Sequence, residues 1–206
     1  MEKEPKFDIK KTYMSDRSVF DYMDKLEVSE EELDDPDALI IDLGSGTKQN
    51  LSREAREFGL KSKIISIDPR LGLDAKEDLE LPLSSKRDRK QGRANPEPYT
   101  LAGLGQALPI KNESVHRIFA LYSVPYYLEN QDEIEDNLSE MIRVLKPGGV
   151  IRIFPIMQNQ LSQVEDFLKK QKNIKSSFSL KESGEDSVTG EKIEDWLLII
   201  EKEKNT

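Results

Sequence analysis

The chain is predicted to be an α/β domain with a mostly parallel sheet, and three stretches carry that prediction. Ile40-Ile41-Asp42-Leu43-Gly44-Ser45-Gly46-Thr47 is an apolar strand that opens into a glycine turn. Ile64-Ile65-Ser66-Ile67-Asp68 is a second apolar strand, and it ends in an acid. Arg143-Val144-Leu145-Lys146-Pro147-Gly148-Gly149-Val150 reads as a helix end, a Pro-Gly stop and the start of another strand. Strands that alternate with helices imply parallel neighbours. A glycine turn with an acid one strand away is how such a sheet holds a nucleoside at its carboxyl edge.

The elements follow in order. Residues 1–14 read as loosely ordered, and 15–26 as a helix with Val19, Phe20, Met23 and Leu26 on one face. Residues 30–37 are acidic and close this segment at Pro36, which predicts a helical leader, 1–37, ahead of a main domain, 38–206. The first strand is expected over 38–43, a helix over 50–58 with Gly59 as its C-cap, and the second strand over 63–67. Residues 73–100 carry Leu79, Leu81 and Leu83, then a basic cluster, then Asn95-Pro96-Glu97-Pro98. Pro82, Gly92, Pro96 and Pro98 interrupt helical pattern there, so the segment reads as a long, partly mobile loop beside the mouth of the site.

A short third strand is expected over 101–104 and a fourth over 115–122. Residues 130–145 read as a helix striped by Ile134, Leu138, Met141, Ile142 and Leu145, with Asn130 and Glu133 spaced as a capping box. The fifth strand takes 149–154, and a helix takes 161–170 with Leu161, Val164, Phe167 and Leu168 inward. Two last strands, 176–180 and 196–200, have no helix between them and predict an antiparallel hairpin, with Trp196 in the core.

Composition narrows the function. The 206 residues are 36% hydrophobic and 34% charged, which suits one polar-rich globular domain. No apolar run approaches the roughly 18 residues of a membrane span, and the first residues lack an apolar signal core. The absence of cysteine excludes disulfides and thiolate metal sites, and a single histidine excludes a multi-histidine one, so no metal is expected. These features make a cytoplasmic address the expectation. The net charge of −9 argues against nucleic acid as the partner. The exception is local: Lys86-Arg87-Asp88-Arg89-Lys90-Gln91-Gly92-Arg93 is either a solvated loop or a docking site for an anionic substrate or partner.

Together the three opening stretches resemble the class I S-adenosyl-L-methionine (SAM)-dependent methyltransferase family, type 11-like. The resemblance runs from about residue 38 to the C-terminus. It implies a Rossmann-like sheet of seven strands in the order 3-2-1-4-5-7-6 with an antiparallel last strand, and it implies SAM as cofactor. Asp42 then helps bind the cofactor's ammonium, and the Gly44-Ser45-Gly46 loop wraps the methionine and ribose portions. Asp68, 24 positions after Gly44 and followed by Pro69, accepts hydrogen bonds from the ribose hydroxyls. Residues 102–110 correspond to the adenine segment. Where the family carries an acid this chain has Leu104, which leaves the backbone of Gly105 and Gln106, or the Gln106 side chain, to meet the ring. The family's third glycine position is Lys48.

Methyl transfer from a sulfonium is an in-line displacement, so much of the catalysis can come from alignment. No catalytic base is assigned. The stretch Leu121-Tyr122-Ser123-Val124-Pro125-Tyr126-Tyr127 follows the fourth strand and should lie at the switch-point crevice. Tyr122 is expected beside the cofactor, and Ser123, Tyr126 and Tyr127 beside the acceptor, a small molecule or a protein. His116 starts the fourth strand, the wrong end for chemistry, and reads as structural. A nicotinamide-dependent oxidoreductase would need glycine at Gln49. The remaining alternative is a non-catalytic methyltransferase-like SAM-binding or scaffold protein, which the fold alone does not exclude.

Overall fold

The computed structural model describes residues 17–72, 97–128, 130–185 and 190–204. The basic cluster at 86–93, most of the expected loop at 73–100 and the segment 1–14 lie outside the described residues. Two short helices open the described chain: α1 (Val19–Leu26) and α2 (Glu30–Leu33). They lead into β1 (Leu39–Leu43), α3 (Asn50–Glu57) and β2 (Lys63–Ile67), then a 3-10 turn, Pro69–Gly72. After these come β3 (Thr100–Leu101), β4 (Val115–Leu121), α4 (Gln131–Val144), β5 (Leu145–Ile156), α5 (Gln158–Lys169), β6 (Ile174–Glu185) and β7 (Lys192–Lys202).

The seven strands form one sheet in the order β3-β2-β1-β4-β5-β7-β6. β1 pairs in parallel with β2 and β4, β2 with β3, and β4 with β5, whereas β7 runs antiparallel to both β5 and β6. This is the predicted topology. The sheet is buried on both faces by two apolar clusters. One gathers Ile41, Ile118, Ile151 and Leu198 with Ile134, Leu138, Met141 and Val164 from the helices. The other gathers Ile40, Ile64, Phe119, Phe154 and Leu197 with Val19, Tyr22, Leu26, Leu33, Leu51 and Ala55. The central strands therefore read as unbroken apolar runs rather than alternating ones.

Several element boundaries differ from the sequence reading. On α1 the buried face is Val19, Tyr22 and Leu26, while Phe20 is 63% exposed and meets the exposed Phe58 ring. Tyr22 wins the inward position because its hydroxyl has a buried partner, described below. β3 is only Thr100–Leu101, not 101–104, because the chain turns away once Asp68 N–H has reached the Leu101 carbonyl at 3.2 Å. Lys146-Pro147-Gly148-Gly149 is not a separate turn before the fifth strand. Leu145 pairs with Val115 and Val150 with Arg117, so these four residues bulge within β5. A Cβ on Gly149 would lie 2.9 Å from the His116 carbonyl, which explains the glycine.

α5 begins at Gln158, three residues earlier than its apolar stripe suggests, and Leu161 is only half-buried. β6 and β7 are much longer than the predicted hairpin strands. Their outer residues are polar because β6 is an edge strand, so apolar pattern underreports them. Trp196 is half-buried rather than core, and its indole N–H donates to Gln158 Oε1 at 3.1 Å.

Other local signals match. α3 ends in a glycine cap: Gly59 has φ +76, its N–H reaches the Arg56 carbonyl at 3.0 Å and Leu60 N–H reaches Ala55 at 2.9 Å. Asn130 Oδ1 caps α4 by accepting from Glu133 N–H at 2.9 Å. His116 sits at the start of β4, where its Nδ1 accepts from Leu39 N–H at 3.0 Å, and burial holds its pKa below the usual value.

Candidate active site

The carboxyl ends of β1, β2 and β4 meet at the reversal of strand order, where open α/β sheets bind ligands. Gly44 and Gly46 both take positive φ, +74 and +71, so the chain turns sharply off β1. Gly44 and Ser45 N–H groups donate to the Ile67 carbonyl at 2.7 and 3.2 Å, which stitches the loop to the end of β2. A Cβ on Gly44 would overlap the Ser123 side chain. Ser123 Oγ donates to the Leu43 carbonyl at 2.7 Å, so the ends of β1 and β4 are clamped together and this hydroxyl is already committed.

Asp42 is fully buried. Its Oδ1 accepts from the Tyr22 hydroxyl at 2.8 Å, and its Oδ2 is buried without a partner. Burial pushes the carboxyl up to about 6, against the opposing pull of the Tyr22 hydrogen bond and the Arg17 charge. The same carboxylate and burial raise the Tyr22 phenol well above its ordinary value, burial being the larger cause.

Asp68 lies 2% exposed at the end of β2 and is fully engaged. Oδ1 accepts from Arg70 N–H and Nε–H, both at 2.9 Å. Oδ2 accepts from Gly46 N–H at 3.0 Å and from the Arg70 guanidinium at 2.8 Å. A carboxylate has about four lone-pair sites, and here four donors fill them. Pro69 opens the 3-10 turn that brings Arg70 back onto its neighbour, with Leu71 N–H on the Asp68 carbonyl at 3.2 Å.

The predicted adenine segment runs along α4, meeting Asn137, Glu140 and Arg143. Leu104 and Ala107 close a turn at 3.1 Å, and Gly105 is packed so tightly that a Cβ would overlap Asn137 Oδ1. Gln106 is half-buried beside it. The segment is held from below by Arg143, which donates to the carbonyls of Leu108 and Ile110 at 3.0 Å each, and by Glu140, which accepts from Leu108 N–H at 3.0 Å.

Tyr122 has φ +48, and its N–H donates to the Phe154 carbonyl at 2.6 Å. Its hydroxyl donates to the Ser183 carbonyl of β6 at 2.7 Å. The Tyr122, Tyr126 and Tyr127 rings stack edge-on in series, at 6.1 and 4.9 Å between centroids. Gln160 of α5, 3% exposed, donates to the Pro125 and Leu128 carbonyls at 2.8 and 3.1 Å and so fixes this aromatic turn. The structure thus brings Asp42, Gly44, Ser45, Gly46, Asp68 and Ser123 to one sheet edge.

Sequence reasoning missed Arg17, Tyr22, Arg70, Asn137 and Gln160. Arg70 had a signal in its two-residue spacing from Asp68. Arg17 had one too: it precedes Ser18, the N-cap of α1, and a cation there opposes the helix dipole unless it has other work. Among the described residues, no group of three or more His, Cys, Asp or Glu is placed to hold a metal, and no helix is long and apolar enough to cross a membrane.

A sheet of this order, closed by an antiparallel β7, with a glycine loop after β1 and an acid after β2, defines the class I methyltransferase fold. The family model of the ubiE/COQ5 methyltransferases matches residues 9–173, most of the chain, and the protein belongs to that family. It is a SAM-dependent methyltransferase. A search of curated proteins gives no significant match. Solved structures share the fold at low identity. A SAM-dependent methyltransferase from Methanosarcina mazei is 16% identical with a TM-score of 0.54, over 85% of this chain and 97% of that one. The N-methyltransferase NodS from Bradyrhizobium japonicum, in complex with S-adenosyl-L-homocysteine, is 12% identical with a TM-score of 0.53, over 82% of this chain and 79% of that one.

Proposed function

We propose that the crevice at the ends of β1, β2 and β4 binds SAM through the residues just described and passes its methyl group to a small-molecule or protein acceptor. The observation that carries this reading is the buried, unpartnered Oδ2 of Asp42, which sits where β1 opens into the glycine loop. A buried acceptor without a donor is costly, and a ligand ammonium would satisfy it. The Gly44-Ser45-Gly46 loop lies along the methionine and ribose portions. Asp68 takes the ribose hydroxyls when the Arg70 side chain yields, while the Gly46 and Arg70 backbone N–H groups keep the carboxylate aimed. Pro69 shapes that corner, and the backbone of Leu104, Gly105 and Gln106 meets adenine.

The bound cofactor supplies an electrophilic methyl on sulfur. This chain's residues supply alignment. Tyr122 stands beside the cofactor, and Ser123, Tyr126 and Tyr127 shape the acceptor pocket, with the Tyr122 and Ser123 hydroxyls held on the Ser183 and Leu43 carbonyls. A helical leader, 1–37, and a main domain, 38–206, are the proposed division of the chain; α1 and α2, the described helices of the leader, pack into the same apolar cluster as β1 and β4, and Tyr22 donates to Asp42. The cysteine-free composition supports a cytoplasmic address.

Calorimetric titration with S-adenosylhomocysteine tests the site. Micromolar binding is expected, and Asp42→Asn is expected to weaken it at least tenfold while the protein stays folded. Binding undiminished in that variant would overturn the assignment of Asp42.

A further inference from the structure

The Asp68 carboxylate lies at the ribose end of the proposed site, yet it is already occupied from within the chain. Arg70, two residues on, is 7% exposed and folds back over it through the 3-10 turn Pro69–Gly72. Its side chain supplies two of the carboxylate's four hydrogen bonds: Nε–H donates to Oδ1 at 2.9 Å and Nη2 to Oδ2 at 2.8 Å. This fork sets two N–H groups against two carboxylate oxygens. A vicinal diol would set two O–H groups against the same two oxygens. Guanidinium and diol therefore compete for one pair of acceptors. Burial works against the guanidinium charge, but the Asp68 hydrogen bonds and charge outweigh it and hold the Arg70 pKa above its ordinary value.

The other two bonds come from the backbone. Gly46 N–H reaches Oδ2 at 3.0 Å and Arg70 N–H reaches Oδ1 at 2.9 Å. The glycine loop and the turn fix these donors, so they hold the carboxylate whether or not the guanidinium is on it. Only the Arg70 side chain can leave without moving the backbone.

We propose that Arg70 is an internal competitor at the cofactor site: its side chain stands in for a ligand diol on Asp68 and holds affinity below what the free carboxylate would give. This regulation rests on the SAM reading above. Ligand hydroxyls gain bonds to Asp68 only as the guanidinium gives up its own, so the diol adds little net affinity. Binding also turns a buried cation away from its partner, which is costly. Removing the competitor should tighten the binding of diol-bearing ligands, the reverse of what deleting a buried residue in a binding site usually does.

The test titrates the full chain, as wild type, Arg70→Met and Arg70→Lys, with S-adenosylhomocysteine and with its 2′,3′-dideoxy analogue. Thermal unfolding shows that each protein is folded. Wild type is expected to bind the two ligands within about threefold of each other. Arg70→Met keeps an apolar stem and loses every donor. It is expected to bind S-adenosylhomocysteine at least about tenfold tighter than wild type, and the dideoxy analogue within about twofold of wild type. Arg70→Lys offers a single ammonium in place of the fork and should fall between. It carries the same test should Arg70→Met fail to fold. S-adenosylhomocysteine should also raise the thermal midpoint of Arg70→Met by more than that of wild type.

Unchanged or weaker S-adenosylhomocysteine binding in the folded variants would overturn the proposal. Equal tightening for both ligands would place the effect in the space that the side chain fills rather than in competition for Asp68, and would overturn it too. So would a wild-type preference for the diol of more than about tenfold. Binding of neither ligand by any of the folded proteins would sink the cofactor-site reading itself, and this inference with it.

Discussion

In the proposed site, one carboxyl group, that of Asp42, couples affinity to stability. Burial raises its pKa to about 6, and a cofactor ammonium beside it would favour the charged form and lower that value. S-adenosylhomocysteine affinity is therefore expected to be level above pH 7 and to fall as the pH drops below about 6. Titrations from pH 5 to 8 check this, and Asp42→Asn should flatten the profile. Stability runs the other way. The folded group holds its proton up to about pH 6 while the unfolded one releases it near its ordinary value of 3.8. The folded state thus binds more protons in that window, and its contribution is greatest at low pH and lost as pH rises through 6. At neutral pH this costs on the order of 2–3 kcal/mol, so Asp42→Asn is expected to raise the urea midpoint there. Arg70 and Asp68 are the opposite case. Both are buried and each satisfies the other, so Arg70→Gln strands a carboxylate and should cost about 3–5 kcal/mol. The double variant Asp68→Asn/Arg70→Gln should regain much of that loss, which urea titration of the three proteins measures.

The carboxyl ends of β1 and β4 act as one piece because Gly44 and Ser123 are packed against each other. Gly44→Ala introduces both a side-chain overlap and a strained positive φ, and should cost about 2–4 kcal/mol. Removing the Ser123 side chain in the same protein, Gly44→Ala/Ser123→Gly, relieves the overlap but not the φ. About half the loss should return, as read from thermal midpoints. At this scale the sequence was informative where burial was continuous. β1, β2, β4 and α4 were placed within a residue or two because their apolar runs or stripes are interrupted by glycine, an acid or a cap. β3, two residues long, has almost no pattern to read, and β6 is polar because it is an edge. On α1 the expected Val19 and Leu26 are buried, but periodicity ranks Phe20 above Tyr22. The structure inverts them because a tyrosine hydroxyl can satisfy Asp42 and a phenylalanine cannot.

Over the whole molecule, the strand order β3-β2-β1-β4-β5-β7-β6 is legible through the family resemblance that three short stretches carry, and the terminal hairpin is legible from two strands with no helix between them. The contacts that tune the site were not. Arg17 acts on Gly44 and Tyr122, which lie 27 and 105 positions away, and Gln160 holds a turn 35 positions upstream. Single-sequence patterns carry no record of such partners. The hydrogen bonds around Asp68 have one more consequence. With four donors in place, a nucleoside arriving at that carboxylate adds no bonds there; its hydroxyls replace the guanidinium N–H donors of Arg70. Departure reverses the swap and leaves no bare charge behind. In the proposed site the spent cofactor therefore departs downhill relative to a site that would be left unsatisfied, and a methyltransferase arranged this way favours turnover over tight retention of its product.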